Sequence, residues 1–539
     1  MCVALIGLAL STLNSPGHTD TTDSTDNSAP SPRCLAAVLL STLNSKHSTL
    51  NSKSSTLPIT RINKGKGVVF QKVYIFAFRK LTAAKITAAK IKSMKFYDRQ
   101  KELAELERIR TVAFSVSSQM TVVTGRRRIG KTKLIMKSCE ASPTLYLFVS
   151  RNNEATLCSQ FSEEARRSLG IFVPEGITSF RDLFRLCMEY GKNMPFNLIL
   201  DEFQEFYNIN PAIFSEIQNI WDQTKDNTHV NLLVCGSVFT LMHRIFQDAK
   251  EPLYGRASGF IKLKPFMPSV LKQILKDHNP NYSNDDLLAL YATTGGVPKY
   301  VELLMDNGCV KVQSILERMC GENSLFLEEG NTVLIQEMGK QYGTYYSVLS
   351  AIASGATESS RISQFTGVAS LGGIMQRLEE DYDLVGKKRP VLSKPGSQTV
   401  RYEIKDHFLR FWFRYIVKYQ NLIQTGQWER LKDIVVQDYP TYSGKELEDY
   451  FKDKLCEELP IGQIGSWWEN NRSKTSDSDQ HEVDIVAIYH DRPKVLIAEV
   501  KRDKRNFKRQ PFMEKVELLR DKFFDKYEVE PRCFSLTDM

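Results

Sequence analysis

No apolar run in the sequence reaches the roughly 18 residues that a membrane-crossing helix needs, which argues against a membrane protein of the helical kind. Its ten cysteines include no CxxC pair, so neither a zinc ribbon nor a disulfide framework is indicated, and the plain expectation is reduced thiols in a cytoplasmic protein. Beyond the first 93 residues there is also no net charge. The formal +9 is carried by residues 1–93, with 12 Lys+Arg against 3 Asp, leaving 60 basic and 60 acidic side chains in the remaining 446 residues. Global charge therefore gives no reason to expect a nucleic-acid partner, and any such surface must be local.

What is present is an ordinary globular composition, 42% hydrophobic and 25% charged, over 539 residues, which is too long for one core and predicts about three or four domains. The first 93 residues are different. "LSTLNSP", "LSTLNSK" and "STLNSK" recur, "TAAKI" occurs twice, and no helical or strand period runs through them. A disordered tail and a leader at "MCVALIGLAL" are two readings. The leader lacks a charged start and a clear cleavage site. The favoured reading is that translation starts at Met94, where "MKFYDRQKELAELERI" offers a strand and then an amphipathic helix. A peptide from residues 1–90 in mass spectra of the native protein would overturn it.

"TVVTGRRRIGKTKLIM" has the GxxxxGK[ST] spacing, with an apolar run before it and a helix-compatible run after it. That context predicts a phosphate loop built from Gly125, Arg126, Arg127, Arg128, Ile129, Gly130, Lys131 and Thr132. Glycines let backbone N–H groups turn toward phosphates, and the helix N-terminus adds its positive end. Lys131 is expected on the β- and γ-phosphates of ATP and Thr132 on Mg²⁺. "FNLILDEFQEF" then ends a buried strand in Asp201 and Glu202. Asp201 is expected to support the Mg²⁺, and Glu202 to polarise the attacking water. A third strand, "VNLLVCGS", ends at Ser237, either a γ-phosphate sensor or a cap on the next helix. In "PLYGR", Arg256 is either a transition-state cation, in cis or from a neighbouring copy, or a surface ion pair.

Strands alternate with helices from 94 to about 265, the pattern of an α/β nucleotide-binding domain with a parallel sheet. A helical stretch follows, in which Gly295, Gly296 and Pro298 end one helix and start another. Further on, three short helical segments precede "GKKRPVLSKPGSQTVRYEI", read as two strands around a turn at Pro395 and Gly396. Together they predict a winged helix. Its wing carries Lys387, Lys388, Arg389, Lys394 and Arg401, suited to DNA phosphates, while its third helix carries Glu379, Glu380 and Asp381, which repel them. "FLRFWFRYI" is read as a buried helix with snorkelling arginines.

In "HEVDIVAIYHDRPKVLIAEVKR", a tight turn between Asp491 and Arg492 places Asp484 opposite Glu499, with Lys501 on the same face. The remaining positions of both faces are apolar, so this is a central hairpin. Opposed carboxylates repel, and a divalent cation is the simplest compensation.

The motifs "FYDRQKELAEL", "GRRRIGKT", "ILDEFQ", "PLYGR" and "GGVPKY" stand in the order seen in the archaeal-type ATPases, AAA/STAND-like P-loop proteins, and the chain from residue 94 onward resembles that family. The resemblance implies an ATP-driven switch, with a homo-oligomer as one expected partner state, a winged helix and a nuclease-like end. Asp484, Glu499 and Lys501 resemble the D…ExK pattern of PD-(D/E)XK nucleases. That pattern places a further metal-binding acid at Glu448, with Glu446 the other candidate. The implied organisation is an extension at 1–93, a P-loop ATPase domain at 94–265, a helical lid at 266–335, a winged helix at 336–405, a helical connector at 406–440 and a restriction-endonuclease-like α/β domain at 441–539. The expected cofactors are ATP and Mg²⁺, and the expected partner is DNA. The alternative is a regulatory switch whose nuclease fold only docks DNA or a protein.

Overall fold

The computed structural model describes residues 93–539 apart from 340–341, 395, 397–398 and 470–481. The expectations about residues 1–92 and the turn at Pro395 lie outside the described residues.

Helix α1 (Gln100–Ser115) leads into a five-stranded, all-parallel sheet of order β2-β3-β4-β1-β5. The strands are β1 (Gln119–Thr124), β2 (Thr144–Phe148), β3 (Phe196–Asp201), β4 (Val230–Cys235) and β5 (Gly259–Lys262). β3 and β4 are buried at every position, as their near-continuous apolar runs require of strands covered on both faces. Crossover helices provide that cover: α2 (Lys131–Cys139), α3 (Glu154–Leu169), α4 (Phe180–Tyr190), α5 (Ala212–Thr224) and α6 (Phe239–Gln247). Two separate apolar cores flank the sheet.

Five helices follow: α7 (Pro268–His278), α8 (Asn284–Thr294), α9 (Pro298–Met305), α10 (Val312–Cys320) and α11 (Phe326–Met338). α8 ends on Gly295 at φ 54°, and α9 opens on Pro298. A Cβ on Gly296 would lie 2.1 Å from the Phe266 carbonyl oxygen, so the break between these helices tolerates only glycine there.

Next come α12 (Tyr342–Ala353), α13 (Ser359–Thr366) and α14 (Gly372–Gln376), the last running on in a wider turn to Asp381. A two-stranded antiparallel hairpin follows, β6 (Val385–Lys388) with β7 (Arg401–Ile404). Three short helices and a hairpin stand in the expected order, but three of the five basic residues expected to face DNA are engaged internally, while Arg389 and Lys394 are exposed. Lys387 pairs with Glu379, Lys388 with Glu403 and Asp449, and Arg401 with Glu482 while stacking over Trp468 at 4.5 Å. The loop beyond β6 docks on the C-terminal sheet through Val391 N–H and the Ser466 carbonyl.

Helix α15 (His407–Phe411) continues in a wider turn to Val417 and buries Phe408, Phe411, Trp412 and Tyr415. The expectation of snorkelling arginines is half corrected. Arg414 reaches the partly exposed Asp438, but Arg410 is enclosed among Glu446, Asp449 and Glu403. Its charge stays inside because three carboxylates meet it there.

α16 (Trp428–Glu458) is one unbroken helix through Pro440, so the expected boundary at 440/441 falls inside an element; the one at 335/336 falls inside α11. The C-terminal sheet has the order β11-β10-β9-β8: β8 (Ile461–Trp468), β9 (Glu482–Tyr489), β10 (Lys494–Val500) and β11 (Glu528–Phe534), with α17 (Arg509–Phe523) between β10 and β11. β10 pairs antiparallel with β9 in the predicted register, Val495 opposite Ile488 and Ala498 opposite Ile485, and parallel with β11. One face of the hairpin packs on α17 through Val486, Val495 and Ile497. The other joins a single core that also takes in α8, α9, α12, α15 and α16. No helix among the described residues is long and apolar enough to cross a membrane.

Candidate functional site

The loop from β1 to α2 folds as its glycines dictate. Gly125 has φ 143°, and a Cβ there would lie 2.9 Å from the Leu263 carbonyl; Gly130 precedes α2 at φ 88°. Ile129 is buried beneath the loop beside Val123 and Leu134, so its side chain anchors the loop rather than a ligand. Lys131 Nζ donates to the carbonyls of Gly125 (2.9 Å) and Arg126 (3.2 Å). Burial lowers its pKa.

Asp201 stands at the end of β3 with four donors on its carboxylate. Thr132 Oγ1 (2.7 Å) and the Tyr146 hydroxyl (2.8 Å) donate to Oδ2, and Cys235 Sγ and Glu202 N–H (both 2.9 Å) donate to Oδ1. Burial first, then Asp201, pushes the Tyr146 hydroxyl and the Cys235 thiol well above their ordinary pKa. Glu202 sits in the left-handed region at φ 56° and accepts hydrogen bonds from Ser237 Oγ and Gln204 Nε2, both at 2.6 Å. Thus Lys131, Thr132, Asp201, Glu202 and Ser237 all line one cavity of about 670 Å³. Phe96, Tyr97, Arg99 and Phe266 line it too, with the Arg99 guanidinium 5.2 Å above the Phe266 ring. Polar groups and flat aromatic ones in one cavity suit the phosphates and base of a nucleotide.

The three arginines of the loop part company. Arg127 and Arg128 line the cavity and Arg126 does not. The Arg126 guanidinium is ion-paired with Asp406 at the start of α15, beside Tyr300. Burial opposes its charge, but Asp406 and Tyr300 hold its pKa above the ordinary value. Arg128 makes two 2.9 Å hydrogen bonds to Glu329 of α11. The expectation for these residues concerns the loop backbone; their side chains fasten the loop to later parts of the chain. Glu337, also on α11, faces Lys131 and Arg126. Burial holds its carboxyl up at about 7, and its outer oxygen accepts no hydrogen bond among the described residues. Arg256 stands apart, paired with Asp222 at 2.8 Å and outside the cavity lining.

In the C-terminal sheet, Asp484, Glu499 and Lys501 meet as predicted. Lys501 Nζ lies 2.9 Å from Glu499 and 3.8 Å from Asp484, Val500 N–H donates to Asp484 at 2.8 Å, and Lys515 of α17 approaches Glu499 at 3.6 Å. Burial raises the Asp484 pKa. Of the two upstream candidates, Glu448 faces this site: burial and then Asp484 hold its carboxyl up at about 7. Glu446 is committed elsewhere, to His407 and Arg410. Despite its burial, Arg410 and the hydrogen-bonded His407 keep its pKa low. Among the described residues no three His, Cys, Asp or Glu side chains are set as a metal cage; lysines neutralise the Glu499 carboxylate instead.

Sequence reasoning missed Tyr146, Cys235, Glu329, Glu337, Lys515 and Asp406. Tyr146 and Cys235 were legible as strand residues beside β3. The others come from distant elements and carry no local signal.

A parallel sheet with this loop, this strand-end acid pair and this cavity defines a P-loop ATPase. Residues 96–304 match the family described as an ATPase domain predominantly from Archaea, and residues 412–511 match one described as archaeal and bacterial proteins of unknown function. The chain thus carries the archaeal-type ATPase domain that its motifs resemble. It is 28% identical over 416 residues to the uncharacterized protein MJECL04 of Methanocaldococcus jannaschii, spanning 75% of this chain and 87% of that one. Among solved structures it is similar to the Walker-type ATPase PABY2304 of Pyrococcus abyssi, with 18% identity, TM-score 0.46, and coverage of 59% of this chain and 96% of that one. It is also similar to the ORC2 protein of Aeropyrum pernix, with 16% identity, TM-score 0.40, and coverage of 62% and 96%.

Proposed function

We propose that this ATPase governs a C-terminal site that binds a divalent cation and cleaves DNA. The reading rests on one observation: Asp484, Glu499 and Lys501 share one face of a central hairpin, and Glu448 of the preceding helix is turned toward them. The position of α16, which carries Glu448, ahead of the β9–β10 hairpin supports it, as the D…ExK pattern calls for an acid upstream of the hairpin. The donors are of the chemical kind the cation takes, although among the described residues they are not preset as a cage. Carboxylate oxygens suit Mg²⁺, and burial, the main cause of the raised pKa of Glu448 and Asp484, penalises a charge that a bound cation would stabilise. Asp484, Glu499 and Glu448 would hold the ion, which supplies charge neutralisation and an acidified water when bound. Lys501 holds Glu499 and stabilises charge on the phosphate.

At the ATP site, Lys131 exchanges its two loop carbonyls for phosphate oxygens. Thr132 turns from Asp201 to Mg²⁺, and Glu202 must leave Ser237 before it can polarise water. Arg127 remains for the phosphates; Arg256 serves no cis role in this reading.

The alternative, a switch that only docks DNA or a protein, draws on the internal pairing of Lys387, Lys388 and Arg401, which leaves the wing less charge for DNA. The deciding test is cleavage of linear, branched and single-stranded DNA by the full chain in Mg²⁺ or Mn²⁺, with and without ATP, beside Asp484→Ala and Lys501→Ala. Loss in both variants supports the nuclease. Absence of cleavage by the unaltered protein, with ATP turnover intact, rejects it in favour of docking.

A further inference from the structure

Between the two sites lies a row of buried charges that neither site uses. It begins at the phosphate loop, where Arg126 pairs with Asp406. Asp406 is also the N-cap of α15, its Oδ1 accepting from Leu409 N–H at 3.1 Å. The next residue, His407, is bonded through Nδ1 to Glu446 of α16. One turn further along α15, Arg410 donates to Glu446 (3.1 Å) and Asp449 (2.7 Å). Lys388 of the hairpin and Lys452 of α16 each stand 3.5 Å from Asp449. Lys452 is also 3.9 Å from Glu448, the acid that faces Asp484. A second tie runs beside the first: Asp285 of α8 receives Arg502 Nη2 at 3.0 Å, and Arg502 follows Lys501 in the chain.

We infer that Arg126 is the contact through which nucleotide occupancy reaches the C-terminal carboxylate site, by way of Asp406, α15 and the Glu446–Arg410–Asp449 cluster. The first step is physical. The Lys131 ammonium holds the carbonyl oxygens of Gly125 and of Arg126 itself. Phosphates attract that ammonium away, so the peptide carrying Arg126 loses its donors and must settle anew. Its guanidinium is fastened to a helix N-cap, so displacement of the loop acts on the start of α15. The second step follows from low dielectric. Arg410, Glu446 and Asp449 are all enclosed, and moving one member of a buried ion cluster leaves its partners uncompensated. Such a cluster favours two discrete arrangements over a graded one, which is what transmission across packed elements requires. This inference does not depend on DNA cleavage by the C-terminal site.

The test is hydrogen exchange of the full chain with and without a non-hydrolysable ATP analogue and Mg²⁺. In the unaltered protein the analogue is expected to slow exchange in the phosphate loop and also to change it, by about threefold or more, over 444–455 of α16. Asp406→Asn keeps an N-cap, since asparagine serves there as well as aspartate, but withdraws the charge from Arg126. Glu446→Gln leaves the Arg126–Asp406 pair intact and weakens the next link. Both variants are expected to bind a fluorescent ATP analogue and to protect the loop, while the response in α16 disappears. Persistence of the α16 response in both variants would overturn the inference, as would its absence from the unaltered protein. The readout is backbone exchange, so a negative cleavage assay and a negative coupling assay remain distinguishable.

Discussion

Asp201 and Asp484 both end up beside a second acid and a lysine, yet the chain treats them oppositely. Asp201 has four donors around it, from a hydroxyl, a phenol, a thiol and a backbone amide. Asp484 has one backbone donor, a lysine at 3.8 Å, and Glu499 and Glu448 nearby. The first carboxylate is met on both oxygens by the protein's own hydrogen-bond donors, which hold it in place. The second is crowded with two further acids and answered by the side chains of Lys501, Lys515 and Lys452 at 2.9–3.9 Å, cations that a metal ion would join or replace. Satisfied polar groups rigidify a site, whereas crowded acids leave it dependent on what binds.

The sharpest way to break this contrast is at the ATP site. Lys131→Ala is expected to lower ATP turnover on the order of 10²–10³-fold, because no other described side chain reaches the Gly125 carbonyl and the phosphate end together. Steady-state ATP hydrolysis checks it, and unchanged turnover would dissolve the assignment. Next comes Arg410→Met, which strands Glu446 and Asp449 without their shared cation. A loss of about 3–5 kcal/mol is expected from denaturant unfolding.

A smaller effect sharpens the other side of the comparison. Glu448 has its pKa raised from 4.5 to about 7. Between those values the folded chain keeps a proton that the unfolded chain has released. Stability should therefore fall as pH rises through that window, by at most about 3 kcal/mol. Glu448→Gln should flatten the dependence, and added Mg²⁺ should offset it in the unaltered protein; melting temperatures at pH 5 and pH 8 read both. Smallest of all is Arg256→Ala. Its partly exposed pair with Asp222 is worth less than ~1 kcal/mol, and turnover should stay at the unaltered level. A large, concentration-dependent drop would mean that Arg256 acts on a neighbouring copy.

The phosphate loop and the hairpin were legible because each is written in contiguous residues. Gly125 to Thr132 carry their own backbone geometry, and the pairing of Val495 with Ile488 follows from a two-residue period about one turn. The choice between Glu446 and Glu448 was not legible. Two residues apart on a helix they face different directions, and only the packing of α15 shows that Glu446 is claimed by His407 and Arg410. The fates of Arg126 and Arg128 were hidden for the same reason: their acids lie about 280 and 200 positions away, and nothing local marks a cation as structural. Domain boundaries failed where apolar faces that looked separate in sequence share one core.

That shared core has a consequence for inheritance. Helices between Pro268 and Glu458 bury their apolar faces against the same interior as β9 and β10, so a cut anywhere in that span would expose hydrophobic surface on both pieces. The C-terminal sheet is therefore expected to be inherited together with the helices that pack on it, rather than traded as a free-standing cassette.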